Sequence, residues 1–239
     1  MIIRRLLPIC GRYTTRNLRP ASSSHRFFTT NTIGMNVGKP LDFESGPLVW
    51  IDCEMTGLIP RKDKLIEIAV LITDGNLELV DEGIEFVIHA DKKLLDGMDE
   101  WCTKQHGQSG LTQACLDSPY STEYVAQEVL KYIKKWIPTQ RIGVLAGNSV
   151  HFDRVFLAEE MPEVTDWLHY RIVDVSTIKE LSRRWYPSLR MPRTGESSHR
   201  ALDDIRGSIR ELKWYRDHIF VSGARHAARS TSSDTNEAL

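Results

Sequence analysis

The sequence predicts an α/β domain: a mixed five-stranded sheet, three antiparallel strands followed by two parallel ones, flanked by helices. Three observations carry this expectation. The early apolar runs are rich in β-formers and are separated by a turn signal. The later apolar runs are short and alternate with stretches of helical periodicity. Hydrophobic residues make up 41% of 239, enough for a sizeable core and too many for a disordered or collagen-like chain.

Taken in order, LVWIDCE after Pro47 is an apolar run that reads as a buried strand, and KLIEIAVLITD reads as a second. Asp74-Gly75-Asn76 is a hairpin signal, after which LELVDEGIEFVIH alternates as a third, antiparallel strand. Residues 119–137 open with Ser118-Pro119. They place Tyr124, Val125, Val129, Tyr132, Ile133 and Trp136 at helical spacing, which predicts a core-facing stripe. GVLAGN (143–148) and RIVDV are short strands, each feeding a helix: HFDRVFLAEE, which Asn148 or Ser149 could cap, and STIKELSRRWY. A loop rich in Pro, Gly and Ser spans 187–198 and leads into a last helix of about twenty residues from His199, with Ser198 as its expected N-cap. The domain is expected over 47–220, after a linker at 35–46 and before a polar, disordered tail at 221–239.

The formal net charge of -1 is unevenly distributed. Seven basic residues (Arg4, Arg5, Arg12, Arg16, Arg19, Arg26 and Lys39) precede the first acid, Asp42, which leaves 24 - 32 = -8 for the remainder. Residues 1–34 are rich in Arg, Ser and Thr and begin with the amphipathic run MIIRRLLPI, the composition of a mitochondrial transit peptide; a basic arm touching nucleic acid is the alternative. Translation from Met35 would give a leaderless cytosolic form. No segment approaches the roughly 18 uninterrupted apolar residues of a membrane span. Cys10, Cys53, Cys102 and Cys115 form no CxxC pair, as expected of reduced intracellular thiols.

Three clusters carry candidate chemistry. On a strand, Asp52 and Glu54 share one face while Cys53 points to the other, and this acidic pair interrupts a buried run where unpaired carboxylates are costly. A solvated pair at a strand edge is the plainer reading of the same triplet. Asp153 stands in the first turn of a helix, where the helix dipole alone would favour an acid. SSHRALDDIRGSI brings His199, Asp203 and Asp204 into the first turns of another helix, with Arg200 and Arg206 able to pair with Asp203. Together Asp52, Glu54, Asp153 and one of Asp203 and Asp204 offer hard oxygen ligands, which favour Mg2+ or Mn2+ over zinc. Two such ions about 4 Å apart suit an in-line phosphoryl displacement. His199, with an ordinary pKa of about 6.5, suits a general base that takes a proton from water.

WIDCEMTGL, GNSVHFD and SHRALDD resemble the three motifs of DEDDh exonucleases, which have an RNase H-like fold, four acids holding two metal ions and a histidine base. The family's histidine stands five residues before its last metal acid, which selects Asp204. MTGL, EWCTKQHGQSGL, GNS, YRIVDVSTIKELSRRWYP and SHRALDDIRGSI further resemble the oligoribonuclease family, over about residues 47–220. The resemblance implies a homodimeric 3'-to-5' exoribonuclease that uses two divalent ions (Mg2+ or Mn2+) and degrades short RNA oligonucleotides to 5'-mononucleotides, and the leader would direct it to the mitochondrial matrix. It also implies site roles: Leu58 wedges against a base and Trp101 stacks on one, His106 and Ser149 approach the phosphates, and Arg171 and Ser176 close on the 5' phosphate. Tyr170 and Arg171 would come from the partner subunit. On spacing alone, Leu58 and Trp101 read equally well as core residues, and Arg171 as the partner of a carboxylate. Gly207 and the RMPRTGESS loop depart from the family pattern.

The acidic body has no Lys or Arg run longer than two, unlike a protein that grips a long polymer. Metals and a few cationic contacts suffice for about two to five nucleotides. The competing readings are an exonuclease of proofreading or tRNA-trimming type on longer strands, an inactive nucleic-acid binding module on the same fold, and a protein-interaction domain without chemistry.

Overall fold

The computed structural model describes residues 38–192 and 200–220. The expected leader, residues 193–199 with Ser198 and His199, and the tail 221–239 lie outside them.

Five strands form one mixed sheet in the order β3-β2-β1-β4-β5. β1 (Leu48–Met55) pairs antiparallel with β2 (Leu65–Thr73), which pairs antiparallel with β3 (Ile84–Val87). On the other side of β1, β4 (Val144–Gly147) runs parallel to it and β5 (Ile172–Asp174) parallel to β4. The helices are α1 (Lys92–Leu95), α2 (Glu100–Ser109), α3 (Leu111–Asp117), α4 (Thr122–Trp136), α5 (His151–Glu160), α6 (Pro162–Trp167), α7 (Val175–Trp185) and α8 (Ala201–Tyr215). A π-helical turn, Arg216–Phe220, continues α8. Among the described residues, no helix is long and apolar enough to cross a membrane.

Strand alternation sorts the core into two layers. Val49, Ile51 and Cys53 of β1, with Ile68, Val70 and Ile72 of β2, pack against Val125, Val129 and Ile133 of α4 and Phe156 and Leu157 of α5. Trp50 of β1 and Ala69 and Leu71 of β2 face the opposite way, toward Ala201, Ile205 and Ile209 of α8. Burying each large aliphatic or aromatic side chain contributes about 1.5–3 kcal/mol. Ahead of β1, Leu41 is buried and its N–H donates to the Trp136 carbonyl at 2.6 Å, so the described part of the expected linker lies on the domain.

Several elements differ from expectation, each for a local reason. The third strand begins only at Ile84: after the Asp74 turn, the Asp81 carboxylate accepts from the Gly83 N–H at 3.0 Å and the Trp136 indole at 2.9 Å, which pulls the chain out of the ladder. Tyr124, expected in the core stripe of α4, is exposed and stacks on Tyr120 at 5.1 Å. Helix α4 starts later than Pro119, capped by the Ser121 hydroxyl. Neither Asn148 nor Ser149 caps α5 through its side chain, because the Asn148 amide donates to Ser208 and the Ser149 hydroxyl meets Ser176. The N-cap of α8 is Arg200 rather than the expected Ser198, and the Arg200 side chain makes no capping bond to the helix.

Candidate active site

The candidate site lies at the carboxyl ends of the parallel strands β1, β4 and β5, the end at which open α/β sheets bind ligands. Its geometry starts with β4 being short. The β1–β4 ladder ends at Trp50 opposite Ala146, and the chain then turns away through Gly147, where a Cβ would stand 3.0 Å from the Ile51 carbonyl. β1 runs on past this point. The Cys53 N–H donates to the Asp153 carboxylate of α5 at 2.9 Å, so α5 is tied to the end of β1 by one of the expected site acids.

Asp52 and Glu54 share the face opposite Cys53, and α8 brings Asp204 over them. One carboxylate oxygen from each of Asp52, Glu54 and Asp204 lies within 4.8 Å of the others. Asp153 stands beside this group, its Oδ1 directed to the β1 backbone. Asp203 points elsewhere, its carboxylate 3.8 Å from Arg206 as expected; Arg200, the other expected partner, bonds instead to Glu67 on β2.

The electrostatics of the cluster are those of acids crowded together. Burial, then Asp153, Glu54 and Asp204, push the Asp52 pKa well above its ordinary 3.8. Burial, followed by the charges of Glu67, Asp204 and Asp153, raises Glu54 to about 8. Burial raises Asp153 to about 7 against the pull of its hydrogen bonds. Like charges this close favour either a proton or a cation between them. Oxygen donors without a thiolate fit a hard divalent ion.

Around the acids, each expected substrate residue has a defined setting. The loop after β1 is stitched closed: Thr56 N–H donates to the Lys64 carbonyl at 3.0 Å, and Ile59 N–H to the Asp63 carboxylate at 2.9 Å. A Cβ at Gly57 would collide with that carboxylate, so glycine lets the loop close. The closed loop holds Leu58 outward at 61% exposure. Trp101, on the first turn of α2, is 64% exposed, so neither residue belongs to the core. Cys102 and His106 form the buried face of the same helix.

His106 Nε2 is 2.9 Å from the Met55 carbonyl, which only accepts, so that nitrogen carries the proton. Its Nδ1 is 4.0 Å from Glu54, and burial lowers its pKa. Its contacts in this structure are thus to the backbone and side chain at the end of β1, on a residue only 2% exposed.

Beyond β4 and β5, Ser149 adopts a left-handed backbone (φ 55). Its N–H is held by Asp174 at 2.9 Å and by the Ser176 hydroxyl at 2.6 Å, and the two serine hydroxyls are 3.0 Å apart. Such a backbone in a non-glycine residue is costly unless its surroundings enforce it. Tyr170 and Arg171 lie on the connection into β5, with the guanidinium over the Tyr170 ring at 5.3 Å and Tyr170 stacked on His169 at 4.5 Å. Sequence reasoning missed Asp174, which caps α7 while holding Ser149, and the Glu67–Arg200 pair. Glu67 had a visible signal, since it interrupts an apolar strand as Asp52 and Glu54 do.

Comparison with known proteins agrees with this architecture. The family model described as Exonuclease (RNase_T) matches residues 49–212. A probable oligoribonuclease of Schizosaccharomyces pombe is 53% identical over 172 residues, covering 72% of this chain and 68% of that protein. The mitochondrial oligoribonuclease of Mus musculus is 48% identical over 174 residues, covering 72% of this chain and 73% of that protein. Among solved structures, the zinc-bound E. coli ExoI complex with single-stranded DNA superposes with a TM-score of 0.60 at 16% identity. It is matched over 73% of this chain and 41% of its own length, so this chain spans about two fifths of it and the likeness is one of fold. The β1 acids, the family match and the identity to these relatives lead to one assignment: the chain belongs to the exonuclease family, in its oligoribonuclease branch.

Proposed function

We propose that this protein is a 3'-to-5' exoribonuclease that hydrolyses dinucleotides and other very short RNAs to 5'-mononucleotides, as a homodimer in mitochondria. The observation that carries the reading is the Asp52, Glu54 and Asp204 group within 4.8 Å on one face of the sheet. These three, with Asp153 as the fourth acid, would hold divalent cations, Mg2+ or Mn2+. Two cations held there would supply stabilisation of the charge that develops on the attacking and leaving oxygens of an in-line displacement. His199 takes the proton from the attacking water.

The remaining residues position the substrate. Leu58, held outward on its closed loop, wedges against one base, and Trp101 stacks on another without reading sequence. Ser149 and Ser176 offer paired hydroxyls to the 5' phosphate, joined by Tyr170 and Arg171 of the partner subunit, where a guanidinium fork suits a terminal phosphate. His106 packs beside Glu54 from within the core. The acidic body favours this short-substrate reading over a strand-binding one, because a long polymer calls for many phosphate contacts.

The deciding experiment measures mononucleotide release from a 5'-phosphorylated RNA dinucleotide and from a strand of about twenty nucleotides, with and without Mn2+. Preference for the dinucleotide supports the proposal, and equal efficiency on both would move it to the longer-strand exonucleases. Metal-independent binding without cleavage would identify an inactive binding module. Light scattering tests the dimer. N-terminal sequencing of protein from mitochondrial and cytosolic fractions tests the leader at 1–34, its cleavage site and use of Met35.

A further inference from the structure

Glu67 is the only charged residue of β2, and it is fully buried at 0% exposure on the face that carries the site acids. It stands directly across the ladder from Glu54. A buried carboxylate without a partner is expensive, and its partner here comes from 133 residues away: Arg200 Nε donates to Glu67 Oε1 at 2.9 Å, and Nη2 approaches the same oxygen at 2.6 Å. The other oxygen, Oε2, accepts from the Ala201 N–H at 3.4 Å. Arg200 also approaches Glu85 of β3 at 3.8 Å.

Arg200 is the N-cap of α8, and its carbonyl accepts from the N–H groups of Asp203 and Asp204, both at 3.1 Å. A continuous path therefore runs from the β2 backbone through the Glu67 carboxylate, the Arg200 guanidinium and the Arg200 carbonyl to the amide of Asp204. Arg200 makes no side-chain capping bond to this helix; the Glu67 carboxylate meets its first N–H at Ala201, and the path ties its first turn to β2.

We infer that Glu67 and Arg200 form a positioning latch: the pair fixes the first turn of α8 so that the Asp204 carboxylate meets Asp52 and Glu54, and it keeps the Glu67 carboxylate out of the metal site. The inference rests on the metal-binding reading of that cluster. A pair that only held the fold together would behave differently, since replacing a buried ion pair often leaves stability unchanged, whereas supports of metal ligands act on metal affinity.

Calorimetric titration with Mn2+, paired with thermal melting, tests it on the full chain and on Glu67→Gln, Arg200→Gln, Arg200→Lys and the double variant Glu67→Gln/Arg200→Gln. Each Gln variant is expected to weaken Mn2+ binding about 10- to 100-fold. Arg200→Lys should recover part of the loss. The double variant, an amide pair with no buried charge left alone, should fold and bind no worse than the weaker single variant, because both changes break one latch. Variants that melt earlier yet bind Mn2+ as the unaltered protein does would overturn the latch and leave the metal site standing. An unaltered protein that binds no Mn2+ would remove the metal reading and the latch with it.

Discussion

The two faces of β1 carry different loads on a single strand. Val49, Ile51 and Cys53 enter an apolar layer under α4 and α5, where the neighbours are other hydrocarbons. On the other face Trp50 begins the same way, but Asp52 and Glu54 follow, and α8 delivers Asp204 instead of another aliphatic residue. The apolar face gains stability with every group it buries. The acidic face loses some, since burial and like charge both push its carboxylates upward. The proposed chemistry thus sits where the fold opposes itself, on a sheet whose other face is packed.

Substitutions on the two faces should therefore separate activity from stability. Asp204→Ala is expected to lower mononucleotide release about a thousandfold or more, the several kcal/mol that metal-ion stabilisation of the displacement supplies. Its metal-free melting temperature should hold or rise, because one of the repelling charges is gone. Phe156→Ala in the apolar layer should do the reverse, costing about 3–5 kcal/mol of stability by denaturant unfolding while the folded fraction keeps its turnover.

The pH dependence sharpens the same contrast. The folded-state values of Glu54 (about 8) and Asp153 (about 7) lie above their ordinary values of 4.5 and 3.8, so the folded, metal-free protein binds these protons more tightly than the unfolded chain. Their contribution to stability falls as pH rises from the ordinary carboxylate range through 7 to 8, and then levels off. A cation competes with those protons. The rise in melting temperature on adding Mn2+ should therefore grow across this span, and a rise independent of pH would mean that the metal binds elsewhere.

Smaller effects are expected away from both faces. Trp101→Ala should weaken dinucleotide binding by about 1–3 kcal/mol, read as a higher KM with the melting temperature unchanged. Among the described residues, an added Cβ at Gly207, inside α8, would meet only the end of Arg210, at 3.8 Å. Gly207→Ala should therefore stabilise the protein by up to about 1 kcal/mol in thermal unfolding, without touching activity.

Much of this was legible before the structure because it is local. Alternation along WIDCE places Asp52 and Glu54 together and Cys53 behind them, and helical spacing brings most of the α4 stripe into the core. What stayed hidden depends on distant partners. β3 starts late because Asp81 is drawn to Trp136, 55 residues away. Tyr124 fits the period of the stripe, yet it leaves the core to stack on Tyr120. Ser149 takes its left-handed backbone only because Asp174 and Ser176 hold its N–H. Arg200 looked like a partner for the nearby Asp203 and reaches Glu67 instead, since a buried carboxylate benefits more from a guanidinium than an exposed one does.

The central claim is that the acidic face of β1 serves hydrolysis of very short RNAs. Its most direct test is the ratio of kcat/KM on a 5'-phosphorylated RNA dinucleotide to that on a strand of about twenty nucleotides, measured in Mn2+. A ratio well above one, abolished by Asp204→Ala, is the predicted result. A ratio near one, or dinucleotide cleavage that survives Asp204→Ala, would contradict it.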